Sequence, residues 1–285
     1  MTKIRIVKPK VWNFQVIGGK DAWREVVYSA RVSGVPENIS DEEVFIMIIR
    51  NDYTSAAEHI IIKFDVKVSK GIAPELLEHR IASHTGYSTR YSKVDKRYMD
   101  EEGYEVICPW HLLKKWGSEE WALWEDTVRK AIMRYEELIN RGVPRESARY
   151  VLPFCQAVGI YHMTWNLRSL LNLLSLRLCV RASPEFRCIA AQIYFNLIEQ
   201  LPIMRGLVGC RGFMRGVCPE EGVTGVREGK QHPVYPPCPF KNPQSEVFIP
   251  TRSQIKPDGI RMYFMEEMAV KKMEKLFVKW AAWNG

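Results

Sequence analysis

Residues 62–68 read Ile-Lys-Phe-Asp-Val-Lys-Val, the clearest alternation of apolar and polar side chains in the chain. Successive side chains of a strand point to opposite faces of a sheet, so a period of two places one face on a core and leaves the other in water. The stretch therefore predicts a half-buried β-strand, and the other elements are read outward from it.

Helical patterns lie on both sides of this strand. Ser40 and Glu43 form a capping box, in which the serine oxygen accepts an early backbone N–H and the glutamate reaches back. The same kind of signal predicts helices at 21–32, 74–84, 118–140, 166–181, 185–200 and 262–283, and further strands at 4–17 and 158–164. This order predicts an α/β (mixed α+β) fold in which a central sheet packs against a helical bundle.

Composition bounds the class of protein. The chain has 285 residues and is 46% hydrophobic, enough for a sizeable core. No stretch approaches the roughly 18 uncharged apolar residues of a membrane-spanning helix, and the first residues lack an apolar signal region, so we expect a cytoplasmic protein without a membrane partner. The net charge of +8 suits nucleic acid and small phosphorylated ligands alike, and it does not choose between them.

The segment at residues 78–91 reads Glu-His-Arg-Ile-Ala-Ser-His-Thr-Gly-Tyr-Ser-Thr-Arg-Tyr and holds too many hydrogen-bond donors for ordinary core. Ser88 and Arg90 offer a hydroxyl and a forked guanidinium to a phosphate, and Tyr87 and Tyr91 offer flat surfaces to a ring. Gly86 is predicted to take the positive φ that ends the preceding helix. The segment predicts an anion site; the alternative is a solvated helix end.

A second polar constellation falls on the predicted helix that begins at Asn166. Arg168, Asn172 and Ser175 share one face, whereas Arg177 projects from about the opposite side. One face can line a site in its own subunit while the other completes a site with a neighbour. An arginine-bearing surface helix is the alternative.

The seven cysteines are odd in number and scattered, which argues against a disulfide framework. Cys155 has no nearby signal for a lowered pKa and is interpreted as a packing residue. Between residues 207 and 259 glycine and proline are dense, and zinc candidates occur there: Cys210, Cys218, His232 and Cys238. The seven residues between the first two exceed the usual two to four, so free thiols are preferred and no metal is predicted.

Four ordered segments resemble the flavin-dependent (alternative) thymidylate synthases. The family signature, Arg-His-Arg, seven residues, Ser and then Arg-Tyr, stands here as Glu78-His79-Arg80 and residues 88–91. The family's Asn-x-Arg-Ser-Leu and Leu-x-Leu-Arg stand at 166–170 and 174–177, its Ala-Arg-x-Val-Leu-Pro at 148–153, and its Glu-His at 58–59. The resemblance covers about 1–205, interpreted as the catalytic domain, and leaves 206–285 as a C-terminal extension.

This resemblance implies a methyltransferase that converts dUMP to dTMP, with FAD and dUMP bound where the subunits of a homotetramer meet. Methylenetetrahydrofolate would supply the carbon, reduced flavin the hydride, and NADPH would reduce the flavin. The implied FAD contacts are Ser55, Glu58, His59, Glu78, His79, Arg80, Gly86, Asn166, Arg168 and Asn172. The implied dUMP contacts are Glu75, Glu78, Gly86, Tyr87, Ser88, Thr89, Arg90, Arg149 and Arg177. Arg177 is the implied catalytic residue, because a fixed cation beside the uracil favours its N3-deprotonated form.

Four residues, at three places in the chain, depart from the family pattern. Glu78 replaces the first signature arginine, Thr85-Gly86 replaces Asn-Glu, and Glu75 stands where a glutamine is common. A glutamate beside a phosphate would repel it. Another uridine nucleotide, a hydroxymethyl product and a flavin-binding scaffold without catalysis therefore stay open beside dUMP methylation. A nucleic-acid-binding module is the alternative from another class, although no nucleic-acid partner is expected.

Overall fold

The computed structural model describes residues 4–92, 103–221, 226–227, 230–231, 236–255, 257, 259–261 and 265–283. The chain divides into two compact units, one formed by Met1–Trp12 and Phe64–Met163 and the other by Asn13–Lys63 and Thr164–Gly285. The catalytic boundary near residue 205 follows the resemblance and stays a prediction. None of the helices in the described ranges combines the length and apolar character needed to cross a membrane.

Helices and strands alternate along the chain, as the mixed pattern predicts. The described helices are α1 (Trp23–Val32), α2 (Asp41–Arg50), α3 (Ala73–Leu77), α4 (Trp110–Leu113), α5 (Glu119–Asn140), α6 (Arg145–Ala148), α7 (Leu167–Arg177), α8 (Pro184–Gln200), α9 (Arg211–Arg215) and α10 (Glu267–Ala281). The described strands are β1 (Ile4–Ile6), β2 (Lys10–Val16), β3 (Ile61–Val68), β4 (Ala82–Gly86), β5 (Tyr104–Val106), β6 (Gly159–Asn166), β7 (Val226–Arg227) and β8 (Lys230–Gln231).

A four-stranded sheet takes the order β2-β3-β6-β4. Ile62, Phe64, Val66 and Val68 of β3 are fully buried, which confirms the face predicted from the alternation. Two further strand pairs lie within the described residues: β1 runs parallel to β5, with Ile4 opposite Tyr104, and β7 runs antiparallel to β8.

In the first unit, α5 packs its apolar stripe on β5. Val128, Ile132 and Tyr135 are buried against Tyr104 and Val106, as a helix with one apolar face requires. The oxygen of Ser118 accepts the N–H of Trp121 at 3.3 Å, which confirms the predicted cap. The long amphipathic helix therefore supplies one side of a buried cluster in this unit.

In the second unit, α8 packs on α10 through Tyr194 and Phe277, whose ring centroids are 5.1 Å apart. The Tyr194 hydroxyl donates to Glu274 at 2.9 Å, and Arg205 donates to both oxygens of the same carboxylate at 3.0 and 2.8 Å. The predicted capping box of α2 is also formed, by Ser40 and Glu43.

Some boundaries differ from prediction. The helix expected over 74–84 ends at Leu77, and the polar residues after it form β4 instead. The helix expected over 166–181 ends at Arg177, and a 3-10 turn, Ala56–His59, precedes β3. Within residues 207–259, the irregular segment in which glycine and proline are dense, Arg211–Arg215 is a short helix. A start signal such as Pro74 fixes where a helix begins but not how far it runs, because tertiary pairing competes for the residues that follow.

Candidate active site

The signature segment, residues 78–91, lies in the first unit and begins where α3 ends. Glu75 is half-buried on that helix, and Glu78, which caps it, is exposed. His79 is buried and Arg80 is exposed, so the two side chains meet different surroundings. After β4, the Tyr87 N–H donates to the carbonyl of Ile160 at 2.8 Å and holds the segment on β6.

Gly86 ends β4 and not a helix, and the prediction that it takes a positive φ is wrong. Its lack of a side chain serves close packing instead: a Cβ built there would lie 2.7 Å from Cδ1 of Tyr161 and closer still to Cε1. Tyr161 is buried, and burial raises the pKa of its hydroxyl. Glycine is required here because the tyrosine ring occupies the space.

Three arginines gather beside the signature segment. The Arg90 Nε donates to Glu146 at 3.0 Å, in an ion pair whose members are each about half exposed. Arg149 donates from Nη1 to the Thr89 hydroxyl at 3.4 Å. The third, Arg145, donates to the carbonyl of Tyr91 at 2.9 Å. The predicted residues Thr89, Arg90 and Arg149 therefore lie together, as a phosphate site requires.

A cavity of about 380 Å³ opens in the same unit, with Lys70, Thr89, Arg149 and Gln156 among its lining residues. The Gln156 side chain is buried, and its Nε2 has no hydrogen-bond partner among the described residues. Its backbone carbonyl accepts the Lys70 N–H at 2.9 Å, which fixes the two residues beside each other. A buried amide without a partner is costly, so the cavity is suited to a ligand with an acceptor.

The sequence prediction missed Lys70, Gln156 and Glu146. Lys70 follows the end of β3, where the alternation that identified the strand stops. Gln156 lies beside Cys155, in a stretch interpreted as packing. Only the position of Glu146, three residues before the matched Arg149, offered a signal in the sequence.

The second unit holds the other predicted flavin contacts. Ser55 and His59 are exposed at the two ends of the 3-10 turn, and the carbonyl of Ile60 accepts the Leu167 N–H at 2.9 Å. Glu58 on that turn pairs with Arg168 on α7, and each side chain is about half exposed. The turn and the start of α7 thus bring the predicted residues of this unit together.

The first turn of α7 is built by Asn166, whose side-chain oxygen accepts the Ser169 N–H at 2.8 Å. One turn later, exposed Asn172 accepts a bond from Arg211 at 3.4 Å. Arg215 of the same short helix pairs with Asp52 at 3.1 Å. Arg168, Arg211 and Arg215 are guanidiniums that an anionic cofactor can recruit, and the last two had no signal in the sequence.

Arg177 occupies the end of α7 and is half-buried. Its guanidinium carbon lies 4.7 Å from the centre of the Phe186 ring, a cation–π contact that holds the charge in place. On the other side of the helix, Arg168 and Asn172 are exposed, whereas Ser175 is buried and donates back to the Asn172 carbonyl at 2.8 Å. The two polar faces predicted for α7 are present, apart from Ser175.

Comparison with known proteins gives the context of these residues. A family model described as thymidylate synthase complementing protein matches residues 16–203. The flavin-dependent thymidylate synthase of Thermococcus onnurineus (strain NA1) is 34% identical over 178 residues, which cover 61% of this chain and 70% of that protein. The protein of the same name from Pyrococcus furiosus is 32% identical over 196 residues, 65% of this chain and 76% of that protein. The protein of the same name from Sulfurisphaera tokodaii is 36% identical over 177 residues, which cover 61% of this chain and 65% of that protein.

Proposed function

The chain belongs to the thymidylate synthase complementing protein family, the flavin-dependent thymidylate synthases, and we propose that it methylates dUMP at C5 to give dTMP. The family match spans the signature segment, β6, α7 and all of α8. The first-unit cavity carries the substrate part of the proposal. Lys70 and Arg149 supply positive charge there, and Gln156 supplies an amide that lacks a partner.

Each lining group has a counterpart in a pyrimidine nucleotide. A phosphate needs charge-assisted donors, which Arg149 and the Thr89 hydroxyl provide at adjacent positions. A uracil ring presents carbonyl acceptors, which suit the unpartnered Gln156 amide. The exposed ring of Tyr150, also on the cavity wall, offers a flat surface. We infer that the nucleotide binds in this cavity.

We assign the flavin chiefly to Arg168, Asn172, Ser55 and His59 of the second unit. The exposed guanidiniums of α7 and α9 suit the diphosphate of FAD. Their ion pairs with Glu58 and Asp52 are solvent-exposed, so replacing those carboxylates with a phosphate costs little free energy. When bound, the reduced flavin supplies the hydride that converts the carbon delivered by methylenetetrahydrofolate into a methyl group. NADPH is the proposed source of those electrons.

Arg177 does not line the first-unit cavity, and we assign it to activation of a uracil bound in a neighbouring subunit of the proposed homotetramer. Its cation is fixed on the Phe186 ring and half-buried, where charge interactions are stronger than in water. A fixed cation beside uracil stabilises the N3-deprotonated, electron-rich form, which is the better nucleophile at C5. No cysteine nucleophile enters this scheme, in keeping with the packing interpretation of Cys155.

A homotetramer is the proposed assembly. Tyr150 and Phe154 expose 82% and 76% of their surface beside the cavity. Large apolar side chains exposed together are typical of surfaces that a partner covers. Light scattering of the purified protein tests this assembly, and a monomer at working concentration would refute it.

The decisive experiment measures methyl transfer to dUMP and to UMP, with methylenetetrahydrofolate and NADPH, by protein whose flavin spectrum has been recorded. Arg149→Ala should raise the KM for dUMP at least tenfold and keep the flavin, whereas Arg168→Ala should lose flavin. Arg134→Ala, an exposed arginine on α5 paired with Glu137, is the matched control and should change neither. Preference for UMP would change the substrate, and absence of turnover in flavin-loaded wild type would refute the proposal.

A further inference from the structure

Four cysteines line one cavity of about 320 Å³ in the second unit. The four residues come from different parts of the chain. Cys179 follows the end of α7, and Cys210 is the N-cap residue of α9. The backbone of Cys218 forms an isolated β-bridge with Thr251, and Cys238 begins a turn. All four are free thiols. Residues far apart in sequence thus bring the same chemical group to one place.

The thiols lie within electrostatic range of one another. Burial raises the pKa of Cys210, and the neighbouring thiols Cys179, Cys238 and Cys218 raise it further. Burial likewise raises the pKa of Cys238 to about 11, with Cys179 and Cys218 adding to the effect. These shifts accompany the geometric observation, which is that all four cysteines line the same cavity.

Backbone contacts hold these cysteines in position. The Cys218 N–H donates to Pro250 at 2.8 Å, and the Cys210 carbonyl accepts the Met214 N–H at 3.0 Å. A Cβ at Gly212 would lie 3.2 Å from both Cα and Cβ of Cys218, so α9 and the Cys218 backbone approach as closely as a glycine allows. The fold therefore fixes the backbone positions of Cys210 and Cys218.

Two buried cations accompany the thiols. Lys241 lines the cavity, and its buried Nζ has no hydrogen-bond acceptor among the described residues. Arg187 is 3% exposed, interacts electrostatically with Cys179, and has an Nε without a partner in the same part of the chain. Glu221 is within electrostatic range of Lys241, but its oxygens accept bonds from Ser253. Buried cations of this kind need negative charge close by.

We propose that Cys179, Cys210, Cys218 and Cys238 bind one Zn²⁺ as a structural site. Zinc with four cysteine ligands is tetrahedral, and the divalent ion with four thiolates carries a net charge of −2. That charge would offset the positive charge of Lys241 and Arg187, which four neutral thiols do not do. The four protons pass to solvent on binding, and no electron is transferred.

This set differs from the one the sequence suggested. His232 lies outside the described residues, and Cys179, at the end of α7, takes the fourth place. As the side chains stand, no group of three or more His, Cys, Asp or Glu residues in the described ranges could hold a metal ion. Binding therefore requires the thiols to turn toward a common centre, and the cavity gives them room to do so. The metal would tie the irregular segment to the helix end that carries Arg177.

Elemental analysis of the full-length protein, purified without chelator, tests the site directly. We expect one zinc per chain in the wild type, in Cys155→Ser and in His232→Ala. Cys179→Ser and Cys238→Ser should lose most of that zinc. A mercurial reagent added to wild type should release zinc as the thiols react, a readout that needs no variant to fold. Cobalt substitution should give the absorption of a tetrahedral thiolate site.

The outcomes separate the possibilities, and none of them depends on catalytic activity. Wild type without zinc, or zinc retained by both Cys→Ser variants, would overturn the proposal. Zinc lost from His232→Ala but kept by Cys179→Ser would overturn the assignment of Cys179. Iron in place of zinc would overturn the choice of metal. If the serine variants do not fold, mercurial release from wild type decides, and zinc that stays bound after thiol modification counts against the site.

Discussion

Replacing Gly86 with alanine tests whether the signature segment depends on close packing or on backbone conformation. The new Cβ would lie 2.7 Å from Cδ1 of Tyr161, well inside the distance at which ordinary contacts begin. The tyrosine is 8% exposed and its ring meets His84 edge-on, with centroids 6.2 Å apart. The ring must therefore shift within a packed environment, together with the strand that carries it.

Overpacking of this kind typically costs about 1–3 kcal/mol, because side chains leave their preferred rotamers and the backbone moves. For a chain of this size, each 1 kcal/mol lowers the Tm by roughly 2–4 °C. Urea unfolding followed by tryptophan fluorescence gives the free energy, and calorimetry gives the Tm. We expect Gly86→Ala to be destabilised within that range.

Two further variants decide the cause. If a positive φ were the requirement, Gly86→Asn would be better tolerated than Gly86→Ala, because asparagine enters the left-handed region more readily. Crowding predicts that the larger asparagine is no better. Gly34, with φ of 95° and no atom within 4 Å of a built Cβ, is the matched control at which asparagine should be the better replacement.

Removing the ring should relieve the clash. In a double-mutant cycle, Gly86→Ala should cost less in a Tyr161→Ala background than in wild type, with a coupling of at least about 1 kcal/mol. Additive effects, together with a stable Gly86→Asn variant, would refute the packing argument.

Three other predictions concern charge and burial. Glu146→Gln frees Arg90 from an exposed pair, so dUMP affinity measured by calorimetry should rise, by up to about fivefold, and unchanged or weaker binding would contradict this. Glu274→Gln weakens the bonds to a buried tyrosine and an arginine and should cost about 1–3 kcal/mol of unfolding free energy, against under about 0.5 for exposed Glu267→Gln. Burial, with a smaller effect of a neighbouring thiol, raises the pKa of Cys108 from 9.0 to about 12, so its protonated form stabilises the fold below pH 9 and this contribution is lost as the pH rises toward 12. Stability of the wild type should therefore fall more steeply from pH 9 to 11 than that of Cys108→Val, and parallel curves would contradict it.

Local patterns predicted the elements whose stability is mostly local. The alternation of residues 62–68, the serine cap of α5 and the capping box of α2 all appear as expected, because period and capping chemistry act over a few residues. β4 was missed because its sequence is polar and its pairing partners lie elsewhere in the chain. Pairing of that kind has no signature within the strand.

Some residues of the candidate site were likewise predicted from the sequence, and others were not. The resemblance identified Arg149 and Thr89, which the structure brings into contact, but it gave no reason to expect Lys70 or Gln156 beside them. A backbone hydrogen bond places Lys70 and Gln156 side by side at the cavity, although they are distant in sequence. Cys179 illustrates the same limit: spacing rules for metal ligands search within a segment and overlook a ligand supplied by the end of a remote helix.

The surroundings of Glu78 determine how strongly its carboxylate repels a bound phosphate. A carboxylate and a phosphate charge 4 Å apart repel by about 1 kcal/mol in water, and by several times more where the dielectric is low. Because Glu78 is exposed, the lower figure applies, and it shrinks further with salt. The buried and half-buried groups of the cavity, Arg149, Thr89 and Gln156, act where solvent screens them less. Discrimination between dUMP and another uridine nucleotide should therefore depend on the shape and donors of that cavity, and the glutamate in the signature is no argument by itself against a nucleotide substrate.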